Sequence, residues 1–216
     1  AHPTVAYDAS ERAWIAYAES VANWGKDQGY TVAGRGEGAG IYRSRDLRVR
    51  VLADGKVLAA ADPSQMMPPG EKQFLESPRM GTDARGRVWL LFRHPFTIAR
   101  LRDPNRRPKK IIPERAWENY AATYEGDRWI GPLYFPERMA RMDTDVAPCA
   151  GPDGSLAVVF HTDGREYEKP RLFTRNRVFG ARLSLPARTA SPVLTGVTPV
   201  PAPALVGAPE RRAVQR

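Results

Sequence analysis

The sequence predicts an all-β chain assembled from repeated four-stranded antiparallel units. Three observations carry that expectation. A segment near the N-terminus recurs 75 residues later with five residues at matching offsets. The strand that follows each repeated turn is apolar on both of its sides. Finally, 20 of the 216 residues are Pro, about double the roughly 5% average, which favours frequent turns over long helices.

The first unit opens with Pro3-Thr-Val-Ala-Tyr-Asp8-Ala-Ser-Glu-Arg12-Ala-Trp14-Ile-Ala-Tyr17, and the second with Pro78-Arg-Met-Gly-Thr-Asp83-Ala-Arg-Gly86-Arg87-Val-Trp89-Leu-Leu-Phe92. Pro, Asp, Arg, Trp and the closing aromatic coincide. A weaker third copy, Gly151-Pro-Asp153-Gly154-Ser-Leu-Ala157-Val-Val-Phe160, keeps the Gly-to-Phe spacing but has Ala157 in place of Trp. Each copy reads as strand, tight turn, strand. The turn residues Asp, Gly, Ser and Pro suit short hairpin loops, so Asp8 and Asp83 are expected to cap turns. The strands Ala-Trp-Ile-Ala-Tyr, Val-Trp-Leu-Leu-Phe and Leu-Ala-Val-Val-Phe have no polar side. Such strands need cover on both faces of their sheet.

A second hairpin follows in each of the first two units. Leu47-Arg-Val49-Arg-Val51-Leu alternates as a half-exposed strand, turns at Ala53-Asp54-Gly55-Lys56 and returns as Val57-Leu-Ala. Asn119-Tyr-Ala-Ala-Thr-Tyr124 turns at Glu125-Gly126-Asp127-Arg128 and returns as Trp129-Ile-Gly. Arg177 to Leu185 would continue the third unit. Trp14, Trp89 and Trp129 are expected in the core, and Pro113 to Glu118 admits a short helix.

Four-stranded units in tandem, with an inner strand packed on both faces, are what a β-propeller blade requires. The expected fold is thus a partial β-propeller of about three blades, spanning residues 3–76, 77–145 and 146–185. Residues 186–216, rich in Pro and Ala, read as a linker or tail. The chain holds about 2.9 units of 75 residues, and closed propellers have about four to eight blades. It is expected to be part of a larger ring, leaving apolar sheet faces open at both ends unless it pairs with itself or with further blades.

The Pro-x4-Asp-x2-Gly-Arg-x-Trp strand, followed later by Tyr-x-Gly-x-x-Trp, resembles bacterial β-propeller repeat proteins over about residues 3–185. The Asn23-Trp24-Gly25-Lys26-Asp27 loop is similar to propeller regions ahead of PHP-type phosphoesterase-like domains in large exported proteins. That resemblance implies a periplasmic or extracellular location. It carries over no phosphoesterase site, since the chain has no His-x-His motif. A sialidase-type Asp box is not met either. Its Gly and Trp would follow the Asp by two and five positions, whereas here they follow Asp83 by three and six.

The net charge of +9 would suit an acidic partner. It comes from 27 Arg against 6 Lys dispersed along the chain, with no run longer than Arg106, Arg107, Lys109 and Lys110. Scattered charge reads as a solvated surface, which does not call for nucleic acid. Cys149 is alone, so it forms no intrachain disulfide, lacks partners for a Cys-based metal site, and reads as a small buried residue. The uncharged stretch from Thr189 to Pro209 contains five prolines and is not a membrane span. No cofactor is implied.

The tight turns share one end of the units, so the long connections 18–46, 93–118 and 161–176 should gather at the other, where binding sites on rigid scaffolds are common. Aligning Tyr17, Phe92 and Phe160 brings Glu19, Arg93, His94, His161, Asp163 and Arg165 towards that end. With Trp24, Lys26 and Asp27 these are the candidate ligand-binding residues, suited to a glycan or other anionic ligand. Two functions follow. In the first, the chain is a non-catalytic binding or scaffold module of a larger exported protein, meeting a ligand or protein partner on its long-loop face. In the alternative it is a hydrolase or lyase of a glycan or other anionic substrate. Glu19 or Asp163 would then be the acid/base, His94 or His161 its partner, and Arg93 the anion clamp.

Overall fold

The computed structural model describes residues 3–20, 45–72, 75–101, 111–135, 143–162, 177–185 and 194. These form three antiparallel sheets whose strands follow one another in chain order. The first sheet comprises β1 (Thr4–Tyr7), β2 (Ala13–Ser20), β3 (Arg45–Ala53) and β4 (Lys56–Ala59). The second comprises β5 (Glu76–Thr82), β6 (Val88–Leu101), β7 (Ile111–Glu125) and β8 (Arg128–Tyr134). In the third, β10 (Leu156–Thr162) lies between β9 (Asp143–Ala150) and β11 (Arg177–Leu183). Among the described residues this sheet has three strands, against the four expected. The two short 3-10 turns, Pro63–Met66 and Pro69–Glu71, lie between the first and second sheets in sequence. No helix among the described residues is long and apolar enough to cross a membrane.

The repeated motif acquires a physical explanation at its turns. In the first sheet Asp8 N–H donates to Arg12 O (3.2 Å), and Glu11 N–H donates back to Asp8 O (3.0 Å). Asp83 with Arg87 and Gly86, and Gly151 with Ser155 and Gly154, repeat both bonds. Asp8 Oδ1 also accepts from Ser10 N–H and Arg12 N–H, while its Oδ2 accepts from the Trp14 indole at 2.9 Å. Asp83 does the same with Arg85 N–H, Arg87 N–H and the Trp89 indole (3.0 Å each). The six-residue spacing from Asp to Trp is thus the spacing at which a turn-capping carboxylate can receive the indole N–H of the buried strand. The third turn carries Gly151 and Ala157 at these positions, so both halves of the lock are lost together and neither is left buried without the other.

The fourth position of that turn needs a left-handed backbone, with φ of 58° at Glu11, 72° at Gly86 and 79° at Gly154. Glycine accepts this freely and glutamate does not. Gly86 is required for a second reason: a Cβ there would meet Ala9 Cβ at 2.3 Å. That close approach reflects the stacking of the first turn on the second, where Ala9 N–H donates to Gly86 O at 3.2 Å. The hairpin at Asp54-Gly55 has positive φ at both central residues, as a two-residue loop favours.

The sheets pack in succession, first on second and second on third, with β5 contacting both β1 and β9. Thr4 Oγ1 accepts from Met80 N–H (3.1 Å), and the Thr82 hydroxyl donates to Tyr7 O (2.6 Å), joining β1 to β5. Side chains alternate along each strand. The forward face of each sheet, towards the next in sequence, carries Trp14 and Ala16 in the first sheet and Trp89 and Leu91 in the second. The rear face of the second carries Val88, Leu90 and Phe92; that of the third carries Leu156, Val158 and Phe160. Two cores result. Trp14, Val49 and Val51 meet Leu90, Phe92 and Tyr124, whereas Trp89 and Leu91 meet Val158 and Phe160. β6 feeds both cores, as its unbroken apolar run predicts. Each fully buried Leu or Phe stabilises by about 1.5–3 kcal/mol relative to exposure.

Trp14, Trp89 and Trp129 are buried. Trp129 donates its indole N–H to Ala61 O at 2.8 Å and packs with Tyr124, ring centroids 5.1 Å apart. Three expectations are corrected. The 93–118 connection is not a long loop: β6 and β7 pair from Trp89–Thr123 out to Leu101–Ile111. Pro113 to Glu118 is accordingly strand rather than helix. Among the described residues, β6 has no partner on its β5 side beyond the Glu76–Arg93 pair, and β7 pairs with β8 only from Tyr120. The extension is a two-stranded ribbon, where Pro95 and Pro113 can turn a missing N–H to an unpaired edge. Cys149, the third, is exposed, because Val146 and Pro148 turn towards the second sheet and alternation places Cys149 opposite. Of residues 186–216, Leu194 packs against the first core; most of that segment lies outside the described residues.

Candidate functional site

The first four strand-end candidates fall on two repeat-equivalent pairs. Glu19 and His94 occupy one equivalent position, on the rear faces of the first and second sheets. Arg93 and His161 occupy the preceding one, on the forward faces of the second and third. All four lie at the end of the sheets opposite the Asp-capped turns. Strand alternation and the intervening sheets nevertheless separate them, so Arg93 and His94 point to opposite faces of one sheet. Trp24, Lys26, Asp27, Asp163 and Arg165 lie outside the described residues.

Arg93 sits over the second-to-third interface. Its Nε donates to Glu76 Oε1 at 3.0 Å, and its Nη2 also reaches that oxygen. The guanidinium lies 4.6 Å above the Trp117 ring centroid. Glu76 is buried, so this carboxylate is compensated by an arginine whose flat surface is covered by an indole. On the opposite face, the buried His94 stands in register with Glu118 across β6 and β7. Tyr120 OH donates to Glu118 Oε2 at 3.2 Å, and the His94 ring meets the Tyr120 ring edge-on at 6.1 Å. Tyr120 also stacks on Phe92 (5.7 Å).

Glu19 belongs to a surface network centred on Arg48. The Arg48 guanidinium contacts Glu19 Oε2 (2.9 Å), Asp62 Oδ2 (3.0 Å) and Asp46 Oδ2 (3.3 Å). Burial pulls the Arg48 pKa down, but the Glu19 hydrogen bond and the Asp62 and Asp46 charges outweigh it and hold it above its ordinary value. Asp62 meanwhile caps the Pro63–Met66 turn through Ser64 N–H. His161 is half-buried on β10, opposite Val178 of β11.

A heavily engaged, buried carboxylate lies at the turn end instead. Burial pushes Asp8 up, but the Trp14 indole, the Arg12 N–H and guanidinium, and Ser10 N–H together hold it below the usual carboxylate value. In the third turn, Asp153 is lowered by the Ser155 hydroxyl and N–H and by the Arg182 charge. These carboxylates are held ionised as turn caps. Among the described residues, no three His, Cys, Asp or Glu side chains gather as a metal ion would require.

The Glu76–Arg93–Trp117 group on one face and the His94–Glu118–Tyr120 group on the other follow from the β6–β7 pairing, a feature that reading 93–118 as a loop hides. A signal for it is present in the sequence: Phe92 and Tyr120 are flanked by two nine-residue arms that pair residue for residue once the hairpin is extended. No family model, curated protein or solved structure matches the chain.

Proposed function

We propose that the chain is a non-catalytic binding and scaffold module of β-propeller type, carried in a larger exported bacterial protein. Ligand or partner would meet it at the end opposite the Asp-capped turns. The observation that carries this reading is the repetition of one arrangement three times: the same strand order, the same doubly bonded turn, and forward face on rear face in succession. Side-by-side first strands, β1 on β5 and β5 on β9, are how neighbouring blades meet around a propeller axis. The Arg-rich composition, with Arg93 and His161 at repeat-equivalent strand ends and Asp163 and Arg165 close to His161 in sequence, favours an anionic ligand, such as an acidic glycan.

A hydrolase or lyase is less well supported. Its acid/base candidate Glu19 is engaged by Arg48, and its partner His94 is buried on a different sheet. The test is to titrate the purified chain with neutral, sulfated and uronic-acid polysaccharides while assaying turnover of the same panel and of phosphoesters. Binding to an acidic polysaccharide that weakens in His161→Ala and Arg165→Ala, without turnover, is expected. Turnover abolished by Glu19→Gln would overturn the reading.

A further inference from the structure

We propose that the rear face of the first sheet and the forward face of the third join head to tail between two copies of this chain. The inference rests on the propeller-type reading above. Its first ground is continuity with the two interfaces inside the chain. Leu90 and Phe92 on the rear of the second sheet, and Val158 and Phe160 on the rear of the third, are buried beneath the preceding sheet. The repeat equivalents in the first sheet are Ile15 and Tyr17. They form one surface with Val5 (54% exposed), Tyr7 (61%), Leu52 (43%) and Val57 (40%), with no sheet over them among the described residues. The forward face of the third sheet, equivalent to the buried Trp14 and Trp89 faces, likewise exposes Val159 (48%) and Val178 (69%).

The second ground is shape. At each internal interface the forward face contributes a tryptophan. The third sheet has Ala157 there, flanked by Ala147, Cys149 and Gly180, while Arg182 opposite it is drawn to Asp153 at the turn (3.3 Å), so away from Arg182 its forward face is shallow. The first sheet's rear face is bulky, with Tyr7, Tyr17 and Leu52. Large side chains on one face meet small ones on the other, as packing at interior density requires.

Size and closure agree. With strands about 4.8 Å apart and about 3.3 Å per residue, a four-stranded face six residues long covers roughly 400 Å². Each head-to-tail contact covers one four-stranded face and one three-stranded face of about 300 Å², so two contacts remove about 1,400 Å², within the roughly 1,200–2,000 Å² of a stable interface. Two copies of three sheets make six, inside the range of about four to eight at which propellers close.

The test is the mass of the full chain in solution by sedimentation equilibrium, with Cys149 alkylation as a second readout, since Cys149 lies on the forward face of the third sheet. The expected mass is twice 24.0 kDa, with slow alkylation. Leu52→Glu on the rear face and Val159→Lys on the forward face should each give a folded monomer by circular dichroism, in which Cys149 reacts at least tenfold faster. Mixing the two variants should restore a dimer, because one wild-type contact re-forms and the other pairs Glu with Lys. A monomeric wild-type chain, a dimer that survives Val159→Lys, or a mixture that stays monomeric would overturn head-to-tail joining. None of these results bears on ligand binding or turnover, which test the reading it rests on.

Discussion

Replacing Asp83 by Ala should be among the most damaging single changes in the protein. The buried carboxylate accepts from two turn N–H groups and from the Trp89 indole, all at 3.0 Å, and pairs with Arg87 Nε at 3.7 Å. The Arg87 side chain is 1% exposed, so water cannot take over the role of the carboxylate. Leaving a buried donor unmet costs about 1–3 kcal/mol, and removing one partner of a buried ion pair costs about 3–5 kcal/mol. The two penalties overlap because they arise from one group, which gives about 3–5 kcal/mol in all. That is a large part of the roughly 5–15 kcal/mol available to a folded domain. Asp83→Asn keeps one acceptor oxygen and should lose less, about 1–3 kcal/mol. Urea unfolding followed by far-ultraviolet circular dichroism measures these losses. A double-mutant cycle of Asp83→Asn with Trp89→Phe isolates the carboxylate–indole bond, with an expected coupling of about 1–2 kcal/mol. Additivity within about 0.3 kcal/mol would refute the lock.

Glu11→Gly should stabilise by roughly 0.5–1 kcal/mol, because the left-handed residue costs about 1–2 kcal/mol and glycine returns part of that through its freer unfolded chain; thermal melts measure it. Gly86→Ala should destabilise markedly more than Gly55→Ala, since a Cβ at Gly86 meets Ala9 at 2.3 Å whereas none meets anything within 4 Å at Gly55; equal losses in urea would contradict the stacked turns. The Asp8 pKa is lowered in the folded state. Its contribution is therefore complete above the unfolded value of about 3.9 and lost as pH falls through the folded value. Stability measured from pH 5 to 2 should fall less steeply in Asp8→Asn than in the wild type. Glu19→Gln should change stability by less than about 1 kcal/mol, because its pair with Arg48 is exposed.

The strand order and the turns are legible in the sequence because they depend on local chemistry. Asp8, Asp83 and the glycines at 86 and 154 sit at fixed offsets from the strands they join, and the Val88–Phe92 stretch of β6 announces two-sided burial by lacking polar residues. The β6–β7 ribbon is hidden for an equally physical reason. Pro95, Pro113, Glu114 and Arg115 break the apolar alternation, and a proline is compatible with a strand only where its missing N–H faces an unpaired side, a condition set by how far β5 and β8 pair. Equivalence of strand ends puts Glu19, Arg93, His94 and His161 at one end of the sheets. It does not by itself assign faces, because adjacent residues such as Arg93 and His94 part company as soon as the strand continues past them. Cys149 shows the same effect: its burial depends on which parity faces the second sheet.

The succession of three sheets is tested most directly by nuclear Overhauser contacts between them in an isotope-labelled chain. Cross-peaks from the Ala9 methyl to Gly86 Hα, and from Gly81 Hα to the Pro148 ring, report the first-to-second and second-to-third contacts. Stacked repeats predict both. A folded chain that showed the strand pairings within each sheet but neither of these contacts would contradict the arrangement.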